Sequence, residues 1–335
     1  MKTRKKIRIG IIGTGFGYKV VFKSLKKNKD LKVIGFTNKN GSRRLIKSYI
    51  YFENWKRLIS SNKIDAVFIT SPPNTHKEIV DFALRKNKHI FCEKPCTTSL
   101  RNINYIVKKF EKKKNLSFMV NYEFNEIKAF KFFKRKILTK KLNKENISLI
   151  WNIQLKKKKK SWKENSKLGG GLLFNFVCHA LNYIENLFGK IVHIKSNIII
   201  KKSFQSLNAN FYMDNGQKLK MKMRVDYGYA KSKPIHNLNL LMGKTKYKLG
   251  SKTESLYDQF SIEKLTRGQQ KKILFKPRPN RIDFRIDPTY KNSIKFSNWI
   301  KTKKKCKPSI YEAQRVHYLI NQILKSSRYK KILYV

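Results

Sequence analysis

Short apolar runs separated by amphipathic segments dominate the first third of the chain. The isoleucines of residues 7–12 predict a buried strand, and apolar residues that recur over 20–25 predict the helix after it. Further elements are predicted in alternation: strands at 31–36, 64–70, 89–92 and 116–121, and helices at 55–60 and 77–86. Near-continuous apolar strands that alternate with helices are typical of a parallel sheet. The pattern therefore predicts an α/β fold at the N-terminus.

The pattern changes after residue 122. A helix is predicted over 124–136, and a strongly apolar helix over 171–188, ended by Gly189. The later segments alternate as strands before helical spacing returns: strands at 147–155, 191–200, 206–213, 218–226, 237–242, 247–250 and 332–335, and helices at 291–301 and 311–326. Asp214-Asn215-Gly216 is a hairpin turn signal. We therefore divide the chain into a domain of residues 1–122 and a second, α+β domain of residues 123–335.

A glycine-rich turn, Gly13-Thr-Gly-Phe-Gly17, stands between the first predicted strand and helix. This order is the context of a dinucleotide-binding fingerprint, in which Gly13 permits the sharp turn and Gly15 lets the backbone approach a pyrophosphate. The third glycine of the full pattern would fall at Tyr18, so the match is partial. We expect Gly13, Gly15, Phe16 and Gly17 to bind a dinucleotide. A glycine turn in some other α/β domain is the alternative.

The end of the second predicted strand bears on the choice between NAD and NADP. An acidic residue there is typical of NAD, and its absence with arginine nearby favours NADP. The segment here is polar and basic, and the residues expected near the ribose are Thr37, Asn38 and Lys39, followed by Ser42, Arg43 and Arg44. Small polar and cationic groups suit a 2′-phosphate. The sequence therefore favours NADP over NAD.

Two more polar motifs follow predicted strands. Ligands of open α/β sheets bind at the carboxyl ends of the strands, where the segments 71–76 and 93–95 lie. The residues expected to contact the cofactor in these segments are Ser71, Pro72, Asn74, His76, Glu93 and Lys94. Polar motifs at three successive strand ends indicate one binding edge.

The net charge of +58 would suit a nucleic-acid partner. Of the 78 basic residues, however, 63 are lysine and 15 are arginine, and the lysines are spread along the whole chain. Nucleic-acid binders usually concentrate their charge and favour arginine for bidentate contacts. We interpret the excess as compositional drift with incidental affinity for polyanions, and expect no specific nucleic-acid partner.

Cysteine usage and hydropathy indicate a cytoplasmic protein. The four cysteines show no paired metal spacing, so we expect no metal site and reduced thiols. No apolar run approaches the roughly 20 residues that cross a bilayer, and the basic N-terminus leads directly into a short strand. We therefore expect no membrane association and no signal peptide.

These motifs together resemble the Gfo/Idh/MocA family of NAD(P)-dependent oxidoreductases that act on sugars and cyclitols. The resemblance runs through the segments 13–17, 70–76, 93–95, 120–124, 169–171 with His179, and 312–315, and so covers essentially the whole chain. It implies an N-terminal Rossmann domain and a C-terminal α+β domain with a large, mostly antiparallel sheet. It also implies a sugar, sugar-derivative or cyclitol substrate and a homo-oligomer, dimer or tetramer, formed through the open face of that sheet.

The resemblance assigns roles to several residues. Lys94, in Glu93-Lys94-Pro95, is expected to reach the substrate beside the nicotinamide and to act as the base. His179 is the second catalytic candidate, and Asn175, four residues earlier, lies on the same helical face. The residues expected to line the substrate side are Tyr122, Trp162, Asn175 and His179.

Asn175 departs from the family pattern. Many relatives carry an aspartate there, and an amide cannot accept a proton as a base. An Asp–His relay is therefore excluded, and proton transfer falls to Lys94 or His179. This departure keeps a second hypothesis open, a catalytically silent dinucleotide-binding regulatory protein of the same fold.

Overall fold

Alternating strands and helices at the N-terminus build one of two units in the computed structural model of the chain. The structure describes these residues: 6–38, 48–138, 146–155, 162–228, 234–251, 259–277 and 283–335. The first unit contains Met1–Glu123, Lys167–Gly169 and Arg285–His317, and the second Phe124–Ser166, Gly170–Phe284 and Tyr318–Val335.

The first unit is built on a parallel sheet of six strands: β1 Ile7–Ile12, β2 Leu31–Thr37, β3 Ile50–Tyr51, β4 Ala66–Ile69, β5 His89–Cys92 and β6 Phe118–Val120. Their order across the sheet is β3-β2-β1-β4-β5-β6, the Rossmann order. Ile9, Ile11 and Phe68 are fully buried, as the apolar runs predict for inner strands. The predicted Rossmann fold is confirmed.

Helices of the first unit lie between these strands, and the first three of them correspond to predicted helices. They are α1, formed by Gly17–Phe22 and Lys23–Leu25, α2 Trp55–Ser60, α3 His76–Arg85 and α4 Leu100–Glu111. Two of them begin at a side-chain cap: the Asn54 side chain accepts a hydrogen bond from the Arg57 amide, and the Ser99 side chain accepts one from Asn102.

The second unit contains a sheet of nine strands: β7 Asn146–Leu155, β8 Ile191–Ile200, β9 Phe204–Met213, β10 Lys218–Tyr227, β11 Ile235–Met242, β12 Thr245–Ser251, β13 Ser261–Thr266, β14 Lys272–Phe275 and β15 Leu333–Tyr334. Their order is β14-β13-β12-β11-β7-β10-β9-β8-β15, and every neighbouring pair is antiparallel except β7 and β10. The predicted large, mostly antiparallel sheet is confirmed. The predicted hairpin turn joins β9 to β10, where the Gly216 amide donates to the Met213 carbonyl at 3.0 Å.

Side chains alternate between the two faces of this sheet. One face is buried against helices, among them α5, formed by Lys128–Phe132 and Phe133–Ile137, and α6, Cys178–Phe188, which continues a helical segment at Leu173–Val177. Trp151 of β7 is fully buried there, 5.9 Å from the ring of Phe176. The helix predicted over 124–136 is interrupted, because Ile127 adopts an extended backbone between a 3₁₀ turn at Glu123–Glu126 and α5.

The chain returns to the first unit after the nine-stranded sheet, through α7, Ile286–Thr302, and the first residues of α8, Ile310–Tyr329. The Ser24 hydroxyl donates to the Ile286 carbonyl at 2.9 Å, and the Phe296 ring meets Phe68 edge-on at 5.5 Å. Residues 285–317 are therefore part of the packing beneath the parallel sheet. No helix in the described ranges is both long and apolar enough to cross a membrane.

Candidate functional site

The glycine turn lies at the topological switch point of the six-stranded sheet, between β1 and β4. Gly13 has a φ of +101°, and its amide donates to the Thr37 carbonyl at 2.9 Å. A Cβ at Gly13 would stand 2.8 Å from the Ser71 amide nitrogen. Only glycine fits here, because both the backbone conformation and the space exclude a side chain.

Thr70 fixes the turn from the neighbouring strand end. Its hydroxyl lies 2.9 Å from the Ile12 carbonyl and 2.8 Å from the Gly13 carbonyl, and a Cβ at Gly17 would collide with the same oxygen. Thr70 is not among the predicted site residues. The residue type carries no signal of its own, since its role comes from the pairing of β1 with β4.

Gly15 supplies the test of whether a dinucleotide fits. A Cβ built there meets no atom within 4 Å, so the backbone at Gly15 borders open space. The residue is exposed and opens a helical segment, and an amide-rich helix start with room in front of it suits a pyrophosphate. These residues fit the cofactor that the fingerprint implies.

Asn38 is held in place at the end of β2. Its amide nitrogen donates to the Thr14 hydroxyl at 2.9 Å, and its side-chain oxygen accepts from the Tyr51 hydroxyl at 2.8 Å. Thr37 is buried, with only its backbone reaching the glycine turn. Lys39 and the two arginines that follow lie outside the described residues.

His76 joins the segments that follow β4 and β5. Its side chain is fully buried, with Nε2 2.8 Å from the Ser71 carbonyl and Nδ1 3.0 Å from the Pro95 carbonyl. Burial lowers the pKa of His76 to about 4, so the ring is neutral at physiological pH. His76 therefore positions the two segments from the interior. Pro72 and Asn74 are exposed on the same loop.

Glu93 and Lys94 lie just after β5. The Lys94–Pro95 peptide bond is cis, and the Lys94 side chain is half-buried. Glu93 is buried and accepts a hydrogen bond from the Asn121 amide at 2.7 Å. Burial, and secondarily the nearby Glu123 carboxylate, raises the pKa of Glu93 to about 8. The group beside Lys94 is therefore largely a neutral acid at pH 7.

Side chains of helix α7 hold the Glu93 carboxyl in place through Asn121. The Asn121 amide also donates to the Thr289 hydroxyl at 3.2 Å, and the Asn292 amide donates to the Asn121 side-chain oxygen at 3.0 Å. All of these side chains are buried. The network fixes Asn121, and through it the Glu93 carboxyl.

Arg285 brings a cation to the glycine turn. Its guanidinium lies 5.0 Å from the centre of the Phe16 ring, and its charge opposes the raised pKa of Glu93. Arg285 immediately precedes α7, so it reaches the turn only because residues 285–317 return to the first unit. Arg285 is not among the predicted site residues, because no local motif marks it.

In the second unit, His179 and Asn175 are both buried and lie one helical turn apart. The His179 ring lies 4.9 Å from the ring of Phe124. A second buried histidine, His236, stacks on Trp151 at 4.0 Å, and burial lowers its pKa to about 3. The helix therefore buries both candidate side chains, and it places His179 against an aromatic ring.

The two other predicted substrate residues lie in different units. Tyr122 is buried in the first unit, at the end of β6. Trp162 is half-buried in the second, and its carbonyl leaves no room for a Cβ at Gly170. Within the described part of the chain, no three His, Cys, Asp or Glu side chains cluster as metal ligands.

Comparison with known proteins places the chain among oxidoreductases. Residues 7–122 match the family described as "Oxidoreductase family, NAD-binding Rossmann fold". Glucose-6-phosphate 3-dehydrogenase of Bacillus subtilis is 25% identical over 69% of this chain and 66% of its own length. The 2,7-anhydro-N-acetylneuraminate hydratase of Escherichia coli is 25% identical over 55% of this chain and 50% of its own length. The chain spans about half the length of several curated relatives it matches.

Solved structures agree on the fold. Levoglucosan dehydrogenase in complex with NADH and L-sorbose has a TM-score of 0.82 and 14% identity, covering 99% of both chains. At this identity the likeness shows the fold alone. The match of residues 7–122 confirms that the motifs of this region resemble those of the Gfo/Idh/MocA family of NAD-binding oxidoreductases.

Proposed function

We propose that the protein is an NAD(P)-dependent oxidoreductase that transfers a hydride between nicotinamide and a carbinol or carbonyl of a sugar, sugar derivative or cyclitol. The observation that carries the proposal is the open backbone at Gly15, at the switch point of a Rossmann sheet, with Lys94 at the end of β5. The name of a similar protein, glucose-6-phosphate 3-dehydrogenase, supports a sugar-like substrate.

Different residues of the first unit would bind the cofactor and transfer the proton. A bound nicotinamide cofactor supplies the acceptor or donor of the hydride. The backbone of the glycine turn would hold its phosphates, and Arg285 beside Phe16 would add a cation to that end of the site. Lys94 would take the hydroxyl proton at Nζ during oxidation and return it during reduction. Glu93, whose carboxyl is held by the Asn121 amide, is largely a neutral acid at this position.

We further propose NADP over NAD. The end of β2 offers the fixed amide of Asn38, and its sequence has no carboxylate to bond a ribose 2′-hydroxyl. The cationic residues 39, 43 and 44 follow in sequence. We also propose the cytoplasm as its location, since all four cysteines are free thiols.

In the second unit, His179, Asn175 and Trp162 are the proposed substrate-binding residues, with His179 as a second proton carrier. In the first unit, Tyr122 is the proposed substrate-binding residue. Asn175 specifically favours the alternative function, a dinucleotide-binding protein without turnover, because its amide cannot act as a base.

The experiment combines binding with turnover. NADPH and NADH would be titrated by fluorescence, and a panel of sugars, sugar phosphates, nucleotide sugars and cyclitols would be screened for turnover. Lys94→Ala should keep cofactor binding and lose about 10²-fold or more in kcat, whereas Lys108→Ala, on the exposed side of α4, should change neither.

Each outcome decides between the hypotheses. Binding with turnover that ignores Lys94 overturns its role as the base. Binding without turnover of any substrate supports the silent protein. If neither nucleotide binds to the wild type, the proposed function is wrong.

A further inference from the structure

Three hydrogen-bonded side chains lie in a row beside the glycine turn of the first unit. The Tyr51 hydroxyl lies 2.8 Å from the Asn38 side-chain oxygen, and the Asn38 amide nitrogen lies 2.9 Å from the Thr14 hydroxyl. The three residues come from β3, from the end of β2 and from the turn itself. Only Asn38 has a proposed role in cofactor binding, so Tyr51 and Thr14 are two polar side chains still without one.

Strand pairing places Tyr51 beside the end of β2. Phe36 of β2 and Tyr51 of β3 are partners in a parallel pair, and Asn38 follows Phe36 by two residues. The close pairing depends on Gly35, because a Cβ there would collide with the Ile50 carbonyl. The two-residue strand β3 therefore brings a phenol hydroxyl to the side chain that follows β2.

The hydrogen bonds of this row run in one direction. The Tyr51 proton has two acceptors, the Asn38 side-chain oxygen at 2.8 Å and the Asn38 carbonyl at 3.4 Å, and the shorter bond is the stronger. A rotated amide would leave the tyrosine proton only the longer bond. With its oxygen held by Tyr51, the Asn38 amide presents an N–H group to Thr14, whose hydroxyl oxygen accepts it.

Thr14 keeps its own proton for a ligand. A threonine hydroxyl has one hydrogen to donate and two lone pairs to accept with. One lone pair receives the Asn38 N–H, and among the residues that the structure describes no acceptor takes the Thr14 hydrogen. Thr14 is half-buried and lies between Gly13 and the open backbone at Gly15. The row therefore ends in an O–H donor at the glycine turn.

A donor in this place favours a phosphate over a ribose hydroxyl. An ionised phosphate only accepts hydrogen bonds, and bonds to a charged group are about twice as strong as those between neutral groups. A ribose 2′-hydroxyl is neutral, and its usual partner at the end of the second strand is a carboxylate. No aspartate or glutamate occurs from residue 31 to residue 52.

We propose that Tyr51 is a positioning residue for NADP, which fixes the Asn38 amide so that the Thr14 hydroxyl donates to the 2′-phosphate. This role rests on the proposed function and deepens it, because the preference for NADP then comes from a hydrogen-bonded row as well as from positive charge. A purely structural role, in which Tyr51 only ties β3 to the end of β2, predicts equal effects on NADPH and NADH. These two nucleotides differ only in the 2′-phosphate.

The test compares ligands that differ in this one group. NADPH and NADH would be titrated by fluorescence, and adenosine 2′,5′-bisphosphate and adenosine 5′-monophosphate by calorimetry. The first variant is Tyr51→Phe. Its matched control is Tyr49→Phe, since the Tyr49 ring packs 5.2 Å from Phe22 and 5.6 Å from Phe36, and its hydroxyl forms no hydrogen bond within the described ranges.

We expect Tyr51→Phe to weaken NADPH binding about three- to tenfold, the usual effect of one hydrogen bond, and NADH binding less than about twofold. The bisphosphate and the monophosphate should differ in the same way, and Tyr49→Phe should change none of the four affinities. Equal losses for the members of either pair, or no loss, contradict the role of Tyr51.

Thr14 variants test whether Tyr51 acts through this residue. Thr14→Val should weaken NADPH binding about tenfold or more, because a charge-assisted hydrogen bond is lost, and Thr14→Ser should bind it like the wild type. Adding Tyr51→Phe to Thr14→Val should cause no further loss, since the donor that Tyr51 orients is already gone. Additive losses would show that Tyr51 acts by another route and overturn the proposal.

Asn38→Asp tests the direction of the row with a gain of affinity. A carboxylate accepts hydrogen bonds from both Tyr51 and Thr14, so the Thr14 proton would turn inward and a negative charge would face the phosphate. NADPH binding should fall by about tenfold or more while NADH binding becomes tighter, a result that a misfolded variant cannot give. Unchanged preference in this variant contradicts the proposal.

The wild type separates this proposal from the proposed function. Tighter binding of NADH than of NADPH overturns the role of Tyr51 and Thr14 but leaves an NAD-dependent oxidoreductase in place. If neither nucleotide binds, the proposed function fails, and the role of the row fails with it.

Discussion

At Glu93 the chain buries a carboxyl group next to Glu123, whose side chain is also buried. Burial is the first cause of the raised pKa of Glu93, and the second carboxylate adds to it. The hydrogen bond from Asn121 acts in the opposite direction, as do the charges of Lys94 and Arg285. The side chain thus binds a proton more tightly in the folded protein than in the unfolded chain.

The sign of the resulting pH dependence follows from linkage. Because the folded pKa of about 8 lies above the ordinary 4.5, the stabilisation by the protonated group is complete below pH 4.5 and is lost as the pH rises toward 8. We expect Glu93→Gln to remove a slope of up to about 1.4 kcal/mol per pH unit from the free energy of unfolding across that range. Urea unfolding between pH 5 and 8 measures it.

The control is Glu111→Gln, at an exposed carboxyl on α4, which should leave the slope unchanged. An identical slope in the wild type and Glu93→Gln would mean that Glu93 is ionised at neutral pH. In that case Lys94 faces a carboxylate, and the proposed environment of the base is wrong.

Single residues could be predicted from sequence where their role is local. Gly13 was predicted because a strand, a tight turn and a helix within a few residues require a positive φ. Thr70 and Arg285 could not be, since each meets the glycine turn only through the tertiary fold. The expected contact between His76 and the cofactor stays a prediction. The His76 ring is buried, with both of its nitrogens close to backbone carbonyls.

Among the elements, α7 has the largest effect on the candidate site. It follows the second unit in sequence but packs in the first, where Thr289 and Asn292 hold Asn121. The residue just before it, Arg285, lies over Phe16. A guanidinium at the edge of a glycine turn is well suited to a diphosphate, which it can bond with two parallel N–H groups.

We therefore expect Arg285→Ala to weaken NADPH binding about 10- to 100-fold, the usual effect of losing a charge-assisted contact. Arg285→Lys should restore part of the NADPH affinity, because lysine keeps the positive charge but lacks the two parallel N–H donors of the guanidinium. Fluorescence titration measures the affinity. ADP should lose affinity in parallel with NADPH, whereas adenosine, which has no phosphate, should not.

Arg57→Ala, at an exposed arginine of α2 paired with Glu53, is the matched control and should bind NADPH like the wild type. Unchanged affinity in Arg285→Ala would show that the guanidinium serves only to pack on Phe16. That result would leave cofactor binding at the glycine turn intact.

Element type was predictable wherever one face is clearly buried. β7 matches its predicted range to within one residue because buried and more exposed side chains alternate along it, whereas β13 and β14 were missed because most of their side chains are partly or fully exposed. The parallel pairing of β7 with β10 could not be predicted either, since it joins strands distant in sequence.

At the scale of the whole molecule, the charge of +58 is spread over both units. Exposed lysines cluster on α4 in the first unit and on β10 in the second. Charge of one sign at this density repels itself and lowers the stability of the folded state. Salt screens that repulsion, because the Debye length falls from about 30 Å at 0.01 M to about 8 Å at 0.15 M.

We therefore expect the thermal midpoint to rise as sodium chloride increases from about 0.01 to 0.15 M, by about 2–4 °C for each kcal/mol of repulsion relieved. Differential scanning calorimetry measures it, with the triple variant Lys218→Gln, Lys220→Gln and Lys222→Gln as the comparison. The thermal midpoint of that variant should rise less with salt, because three closely spaced positive charges have been removed. A midpoint that is constant or falls with salt would mean that the ion pairs of the folded state outweigh its self-repulsion, and the lysine excess would then carry no cost in stability.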